Sequence, residues 1–148
     1  MFRSLSPIKK AYIAGFLDGD GSIYARAKPN PTYRYGFQIA LYIVLFQSTK
    51  DGKQFNKLCT AIGYGKIRER NDGMLECVIN KINDIKEFLG CVRSFVVLKK
   101  RQVELMLKII ESKERVKNKR DFQLLLDLID SYRDLNYSKL RIKRVLTP

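Results

Sequence analysis

Asp18 and Asp20, separated by one glycine and followed by another, close the apolar stretch Tyr12–Leu17 and form the most chemically suggestive cluster in the chain. A helix that must stop there, with Gly19 and Gly21 free to leave the helical path, can project a carboxylate and a main-chain carbonyl together. Hard divalent cations take such oxygens. Asp-Gly-Asp-Gly also makes an ordinary polar turn, so these four residues alone do not choose between a metal site and a turn. Counting back from Gly19 in steps of four gives Gly15 and Ala11, small residues on one helical face where a second helix can approach closely. Ala14 and Asp18 are grouped with that contact.

The elements that must position this cluster follow from periodicity. Ser6-Pro7 is an N-cap followed by proline at the first helical position, opening a helix that runs to about Asp18. From Ser22 the period becomes two. Ser22, Tyr24, Arg26 and Lys28 share one face, and Ile23, Ala25 and Ala27 the other, up to the break at Pro29-Asn30-Pro31. A second strand from about Tyr33 to Phe46 puts Tyr35, Phe37, Ile39, Leu41, Ile43 and Leu45 inward, with Arg34, Gln38, Ala40, Tyr42 and Val44 opposite. A helix with Phe55, Leu58, Cys59 and Ile62 ends at Gly63. Lys66, Arg68 and Arg70 then alternate up to the turn Asn71-Asp72-Gly73, and the return strand turns Leu75, Cys77 and Ile79 inward. A helical pattern spans about Asn83 to Val92, two more follow around Val103–Ile110 and Phe122–Ile129, and Ser112 to Arg120 reads as a solvated connector. The order through Val92 is αββαββα, an α+β class, and the two ββ units carry no convincing sequence repeat.

The outer sheet face predicted by this alternation carries Tyr24, Arg26, Lys28, Arg34, Gln38, Tyr42, Lys66, Arg68, Arg70 and Glu76, with Asn30 and Tyr33 at the turn between the first two strands. Arginine can pair bidentately with guanine, glutamine with adenine and glutamate with cytosine, and a two-stranded ribbon fits the major groove. Alternating charges also simply solvate the open face of an antiparallel sheet. A strand of roughly twelve residues at about 3.3 Å each follows on the order of ten base pairs. Lys113 to Arg120 and Arg141 to Arg144 are further candidates for phosphate contact, or for a solvated charged surface.

Composition narrows the partners. The 148 residues suit one domain, 1–148, and 45% hydrophobic content is enough to bury a core. With 29 Lys and Arg against 15 acidic residues, a net charge of +14 favours a polyanion. No apolar run reaches the roughly eighteen residues of a membrane span, and Met1 to Pro7 lacks the core of a signal peptide, so the expectation is an intracellular protein that is neither secreted nor membrane-bound. Cys59, Cys77 and Cys91 lack CxxC spacing and sit in apolar stretches, which predicts buried reduced thiols. The absence of histidine excludes His-ligated metal nucleases, histidine general bases and zinc fingers that use histidine.

The nonapeptide Ile13-Ala-Gly-Phe-Leu-Asp-Gly-Asp-Gly21 resembles the LAGLIDADG motif of homing endonucleases, with conservative replacements at Ile13, Phe16, Leu17 and Gly19. The resemblance covers most of the chain and is strongest from Tyr12 to about Gly73. It implies an αββαββα core with a saddle-shaped antiparallel sheet, extra C-terminal helices, and a homodimer packed through the motif helices. Such a protein cuts both strands of a long pseudo-palindromic double-stranded DNA target, in the service of intron homing. One motif per chain fits that symmetry, since two strands need two sites.

By the same resemblance Asp20 binds the metal, Mg²⁺ with Mn²⁺ as a substitute, and the Gly19 carbonyl is a second ligand. Asp18 orders the helix end. Gln47 and Lys99, in Phe46-Gln-Ser-Thr49 and Leu98-Lys-Lys-Arg-Gln102, complete the catalytic set. The family's further basic residue is displaced here by Asp51 and Gly52, with Lys53 the nearest candidate. Family members occur in prokaryotic cytoplasm and in organelles. Two rivals remain open: a maturase that binds its own intron RNA, and a catalytically silent DNA-binding regulator. Intact Asp20 and Lys99 weigh against a purely structural role in RNA folding, and the retained acidic motif weighs against the silent regulator.

Overall fold

The Ser6 hydroxyl accepts the Lys9 N–H at 3.3 Å and Pro7 occupies the first turn, so helix α1 begins where its cap chemistry requires and spans Pro7–Asp20. This computed structural model describes residues 4–135 and 146–147, and Arg141 to Arg144 lie outside the described residues. Strands β1 (Gly21–Pro29) and β2 (Phe37–Ser48) follow, then α2 (Gly52–Ile62), β3 (Lys66–Glu69), β4 (Met74–Ile79), α3 (Ile82–Val92), α4 (Lys100–Glu114), α5 (Lys119–Asp130) and the short α6 (Tyr132–Leu135). The sheet order is β1-β2-β4-β3. Strand β4 runs antiparallel to both β2 and β3, with Leu45 opposite Cys77 and Arg68 opposite Glu76. Gly63, at φ 80°, ends α2 in the left-handed conformation expected of its position.

The backbone groups into two compact units. The first holds the described residues up to Ile23 together with Tyr42–Lys100. In it α1 packs on α3, and Ile13, Leu17, Ile43, Leu45, Ile85 and Phe88 are fully buried. The second holds Tyr24–Leu41 and the described residues from Arg101 onward. Its core joins Met106, Ile109 and Leu125 to Tyr35, whose ring stacks on Phe122 with centroids 4.9 Å apart. The Tyr132 hydroxyl donates to the Gln102 carbonyl at 2.8 Å, and its burial holds the phenol well above the usual tyrosine range.

Several boundaries and one face assignment differ from the periodicity. α1 continues two residues beyond Asp18, to Asp20, before the Gly21 N–H closes on the Leu17 carbonyl. β2 begins at Phe37 instead of about Tyr33. The Asn30 side chain accepts the Thr32 N–H and hydroxyl, and Gly36 at φ 84° donates to Tyr33, so a longer turn takes the residues assigned to the strand. The connector expected over Ser112 to Arg120 shrinks to four residues, 115–118, because α4 runs to Glu114 and α5 starts at Lys119. Asn118 caps α5 by accepting the Asp121 N–H at 2.8 Å, while the Asp121 carboxylate accepts the Lys117 N–H at 3.0 Å. Val44, placed on the outer face, is nonetheless buried, because β2 is an inner strand and Val78 of β4 lies directly opposite.

Candidate active site and nucleic-acid interface

The end of α1 gathers the chemistry. Four carbonyls at a helix C-terminus lack continuing helical donors, and an acidic residue there opposes the helix dipole. This helix ends on two aspartates with no basic residue in its last turn. Compensation comes from residues 97–99. The Asp18 carboxylate accepts the Val97 N–H at 2.8 Å and the Lys99 N–H at 3.0 Å, and the Lys99 ammonium donates to the Asp18 carbonyl at 2.8 Å. Lys99 thus lies against the motif, two residues from Asp20.

Asp20 and Gly19 are exposed, and a side-chain atom added at Gly19 would meet nothing within 4 Å. The Leu17 carbonyl accepts from Gly21 and that of Asp18 from Lys99, and the Asp20 carboxylate and the Gly19 and Asp20 carbonyls lie at this same helix end. These are hard donors suited to Mg²⁺. Among the described residues no group of three or more His, Cys, Asp or Glu side chains could hold a metal. A single carboxylate beside main-chain carbonyls is a donor set compatible with a hard divalent cation that takes its remaining ligands from outside the chain.

Gln47 lies inside β2 and not after it, opposite Leu75 on the core side of the sheet. Its side-chain oxygen accepts the Ser48 N–H at 2.8 Å. It lines a small pocket with Tyr12, Phe16, Asp51, Gln54, Phe55 and Leu58, which brings it beside α1 one turn before Asp20. Lys53 is exposed in the first turn of α2. In the small-residue strip, Ala11, Gly15 and Gly19 are exposed, Asp18 is half-buried, and Gly15 has open space around it. Ala14 is a correction: it is completely buried in its own unit, since it sits one position off the strip and faces the core with Ile13 and Leu17. Ile8 and Tyr12, at 83% and 65% exposure, extend the strip, and Val97 and Leu98, each 75% exposed, stand beside its end. The apolar run Phe95-Val-Val-Leu98 was the available signal for the last two. The bond from the Val97 N–H to Asp18 spans 79 positions and leaves no local signature.

The sheet residues divide between the units. In the second unit Arg26, Lys28, Tyr33 and Arg34 are exposed, and Tyr24, Asn30 and Gln38 are half-buried. Arg26 lies 5.5 Å over the Tyr24 ring and Arg34 5.2 Å over that of Tyr35, both cation–π distances. In the first unit Tyr42 is half-buried, while Lys66, Arg68 and Arg70 stand exposed on and just beyond β3, the edge strand. Glu76 departs from the expected open position: it is 8% exposed, because Arg68 reaches across the ladder to it at 2.6 Å and Arg70 approaches at 3.5 Å. Arg70 also pairs with Asp72 at 2.7 Å.

The cysteines take no part. Cys59 and Cys77 are buried free thiols and Cys91 is half-buried. A hydrogen bond with Cys77, reinforced by burial, pushes the Cys59 thiol far above the ordinary thiol range. No described helix is long and apolar enough to cross a membrane.

Residues 13–104 match the family model described as LAGLIDADG endonuclease. The chain is 37% identical over 131 residues to the DNA endonuclease I-CreI of Chlamydomonas reinhardtii, covering 88% of this chain and 80% of that one. To the DNA endonuclease I-CvuI of Chlorella vulgaris it is 30% identical over 120 residues, covering 81% and 73%. Its fold resembles the crystal structure of I-CvuI in complex with the I-CreI target, with a TM-score of 0.82 and 27% identity over 94% of this chain and 87% of that one. The archaeal intron-encoded endonuclease I-Vdi141I, complexed with DNA, shares the fold at a TM-score of 0.75 and 20% identity, covering 93% and 87%. The match across the motif helix and the sheet, joined to these relatives, establishes that the chain belongs to the LAGLIDADG endonuclease family.

Proposed function

We propose that this chain is a single-domain, sequence-specific DNA endonuclease that acts as a homodimer, hydrolysing phosphodiester bonds in both strands of a long pseudo-palindromic target. The observation that carries the reading is the end of α1, where an exposed Asp20 stands two residues from the carbonyl that holds the Lys99 ammonium. Homology to two DNA endonucleases supports the reaction class. The I-CvuI structures were obtained with DNA in the presence of Mg or Ca, which supports a divalent cation.

Asp20 and the Gly19 carbonyl would hold Mg²⁺, with Mn²⁺ as a substitute. When bound, the ion supplies polarisation of the scissile phosphate and a lower pKa for the attacking water. The chain's own part is positional and electrostatic. Lys99 keeps two of its three N–H donors for the charge that builds on the phosphate, in a place where it need not reorganise. Gln47, its oxygen engaged by Ser48, presents its NH₂ as a donor. In one unit Arg26, Lys28, Asn30, Tyr33, Arg34 and Gln38 would contact DNA, and in the other Lys66, Arg68 and Arg70. Arginine and glutamine suit base edges, and the lysines suit phosphate.

The homodimer reading rests on the exposed strip of Ile8, Ala11, Tyr12, Gly15 and Gly19, where small residues admit a second α1 and the larger two add apolar area. The test exposes wild type and Asp20→Asn to a randomised DNA library with Mg²⁺ and sequences the cut ends. Wild type is expected to cut at one long near-palindromic site, and Asp20→Asn to bind it while cutting slower by on the order of a thousandfold. Binding without cutting by the wild type would overturn the nuclease in favour of a regulator. Binding confined to structured RNA would favour a maturase.

A further inference from the structure

We infer that Asp18 is a positioning residue for Lys99, so that the first aspartate of the motif sets the active-site cation while the second holds the metal; this rests on the nuclease reading above. Three hydrogen bonds tie Asp18 to one short segment. Its two carboxylate oxygens separately accept the Val97 and Lys99 main-chain N–H groups, at 2.8 and 3.0 Å, and its own carbonyl accepts the Lys99 ammonium at 2.8 Å. Both ends of Lys99, backbone and side-chain tip, are therefore fixed to the same residue. A lysine side chain otherwise samples many rotamers, and its compact ammonium has no directional preference of its own. Closing it into a ring with Asp18 removes that freedom.

The location gives the ring its consequence. The Asp18 carbonyl is at the negative end of the α1 dipole, in a last turn that carries no basic residue of its own. Lys99 supplies the missing positive charge from 81 positions away. Because Asp18 and Asp20 are two residues apart on the same rigid helix end, whatever fixes Lys99 to Asp18 also fixes its distance from the Asp20 carboxylate. A dimer contact for Asp18, the role its spacing suggested, would leave the carboxylate facing outward; here both of its oxygens are already engaged within the chain.

The test is a single-turnover cleavage assay on the site recovered from the library by the wild type, beside DNA binding without added metal and thermal melting. Asp18→Asn keeps the size but loses one acceptor and the charge. It is expected to bind DNA within about twofold of wild type and to cut about a hundredfold slower, the scale on which a misplaced group acts. In a Lys99→Met background, adding Asp18→Asn should slow cutting no further, as for residues that act as one unit. Wild-type cutting by Asp18→Asn, a loss that multiplies with Lys99→Met, or binding and rate falling together would each overturn the inference. Should Asp18→Asn fail to fold, Val97→Pro, which deletes one donor to the carboxylate, is expected to slow cutting with binding kept, and an unchanged rate would overturn it. If the wild type cuts no DNA, the nuclease reading fails and takes this inference with it. If the wild type cuts and the variants cut equally well, the nuclease stands and only the role of Asp18 falls.

Discussion

Glu76 is the one charged side chain buried among the described residues, and its surroundings bear on the base readout proposed for the sheet. Its carboxylate stands opposite Arg68 in the β3–β4 ladder and within 3.5 Å of Arg70. A carboxylate shared by two guanidinium groups fixes which of their N–H donors point outward, and reduces the net charge they offer to phosphate. Glu76→Gln is therefore expected to leave overall DNA affinity equal or tighter, since a negative charge is removed. Discrimination at the base pairs served by Arg68 and Arg70 should weaken by about 1–3 kcal/mol per pair. Competition binding against single-base variants of the target measures this, and undiminished discrimination would show that the arginines need no such guide. Alternation along β4 was enough to assign Glu76 to the outer face. It could not show the burial, which Arg68 and Arg70 create from the adjacent strand and the turn.

At the scale of elements, Gly65 shows how tightly the second hairpin is entered. Its φ of +86° is left-handed, and a Cβ there would lie 2.8 Å from the Val78 carbonyl and 3.0 Å from the Ile79 side chain. Neither can withdraw easily, because β4 is held by ladders on both sides. Gly65→Ala is expected to cost about 2–4 kcal/mol from the strained backbone and overpacking together. Gly90→Ala on α3, where nothing lies within 4 Å, should instead stabilise by roughly 0.5–1 kcal/mol. Chemical denaturation of both variants checks the pair, and equal effects would refute the packing argument. Elements bounded by strong punctuation were legible in the sequence: α1 by Ser6-Pro7, α2 by Gly63, the second hairpin by Asn71-Asp72-Gly73. The start of α5 was marked too, by Asn118 and Asp121, but the surrounding lysines and arginines masked a cap that only its hydrogen bonds make plain. At the proposed site, the motif made legible that Asp20 stands at the end of α1. The Asp18 link to Val97 and Lys99 was not, because a single sequence does not encode which distant backbone amides will meet a carboxylate.

For the whole molecule, the proposed homodimer would have to overcome charge. Two chains of net charge +14 repel, so a homodimer free of DNA must be held by the small and apolar residues of α1, and its stability should rise as salt screens the repulsion. Ala11, Gly15 and Gly19 allow backbones to approach, and Ile8 and Tyr12 are exposed enough to be covered by a partner. Gly15 separates assembly from folding, since among the described residues beyond its own helix backbone nothing lies within 4 Å of a Cβ placed there. Gly15→Gln should keep or slightly raise the melting temperature of the single chain, because glutamine favours a helix over glycine by roughly half a kcal/mol or more. The same side chain would hold two α1 helices apart. The variant is expected to sediment as a monomer where the proposed wild-type assembly is a dimer, and to lose double-strand cleavage, because one chain carries one motif and, on the proposed reading, would grip half of a symmetric target. A wild type that stays monomeric at all salt concentrations and on its target, or a Gly15→Gln variant that remains dimeric and cuts both strands, would remove α1 from the interface. DNA binding supplies the complementary check, for the polyanion offsets the repulsion between the chains. Adding target should convert wild-type monomers to dimers at low salt, whereas Gly15→Gln should occupy the two half-sites independently.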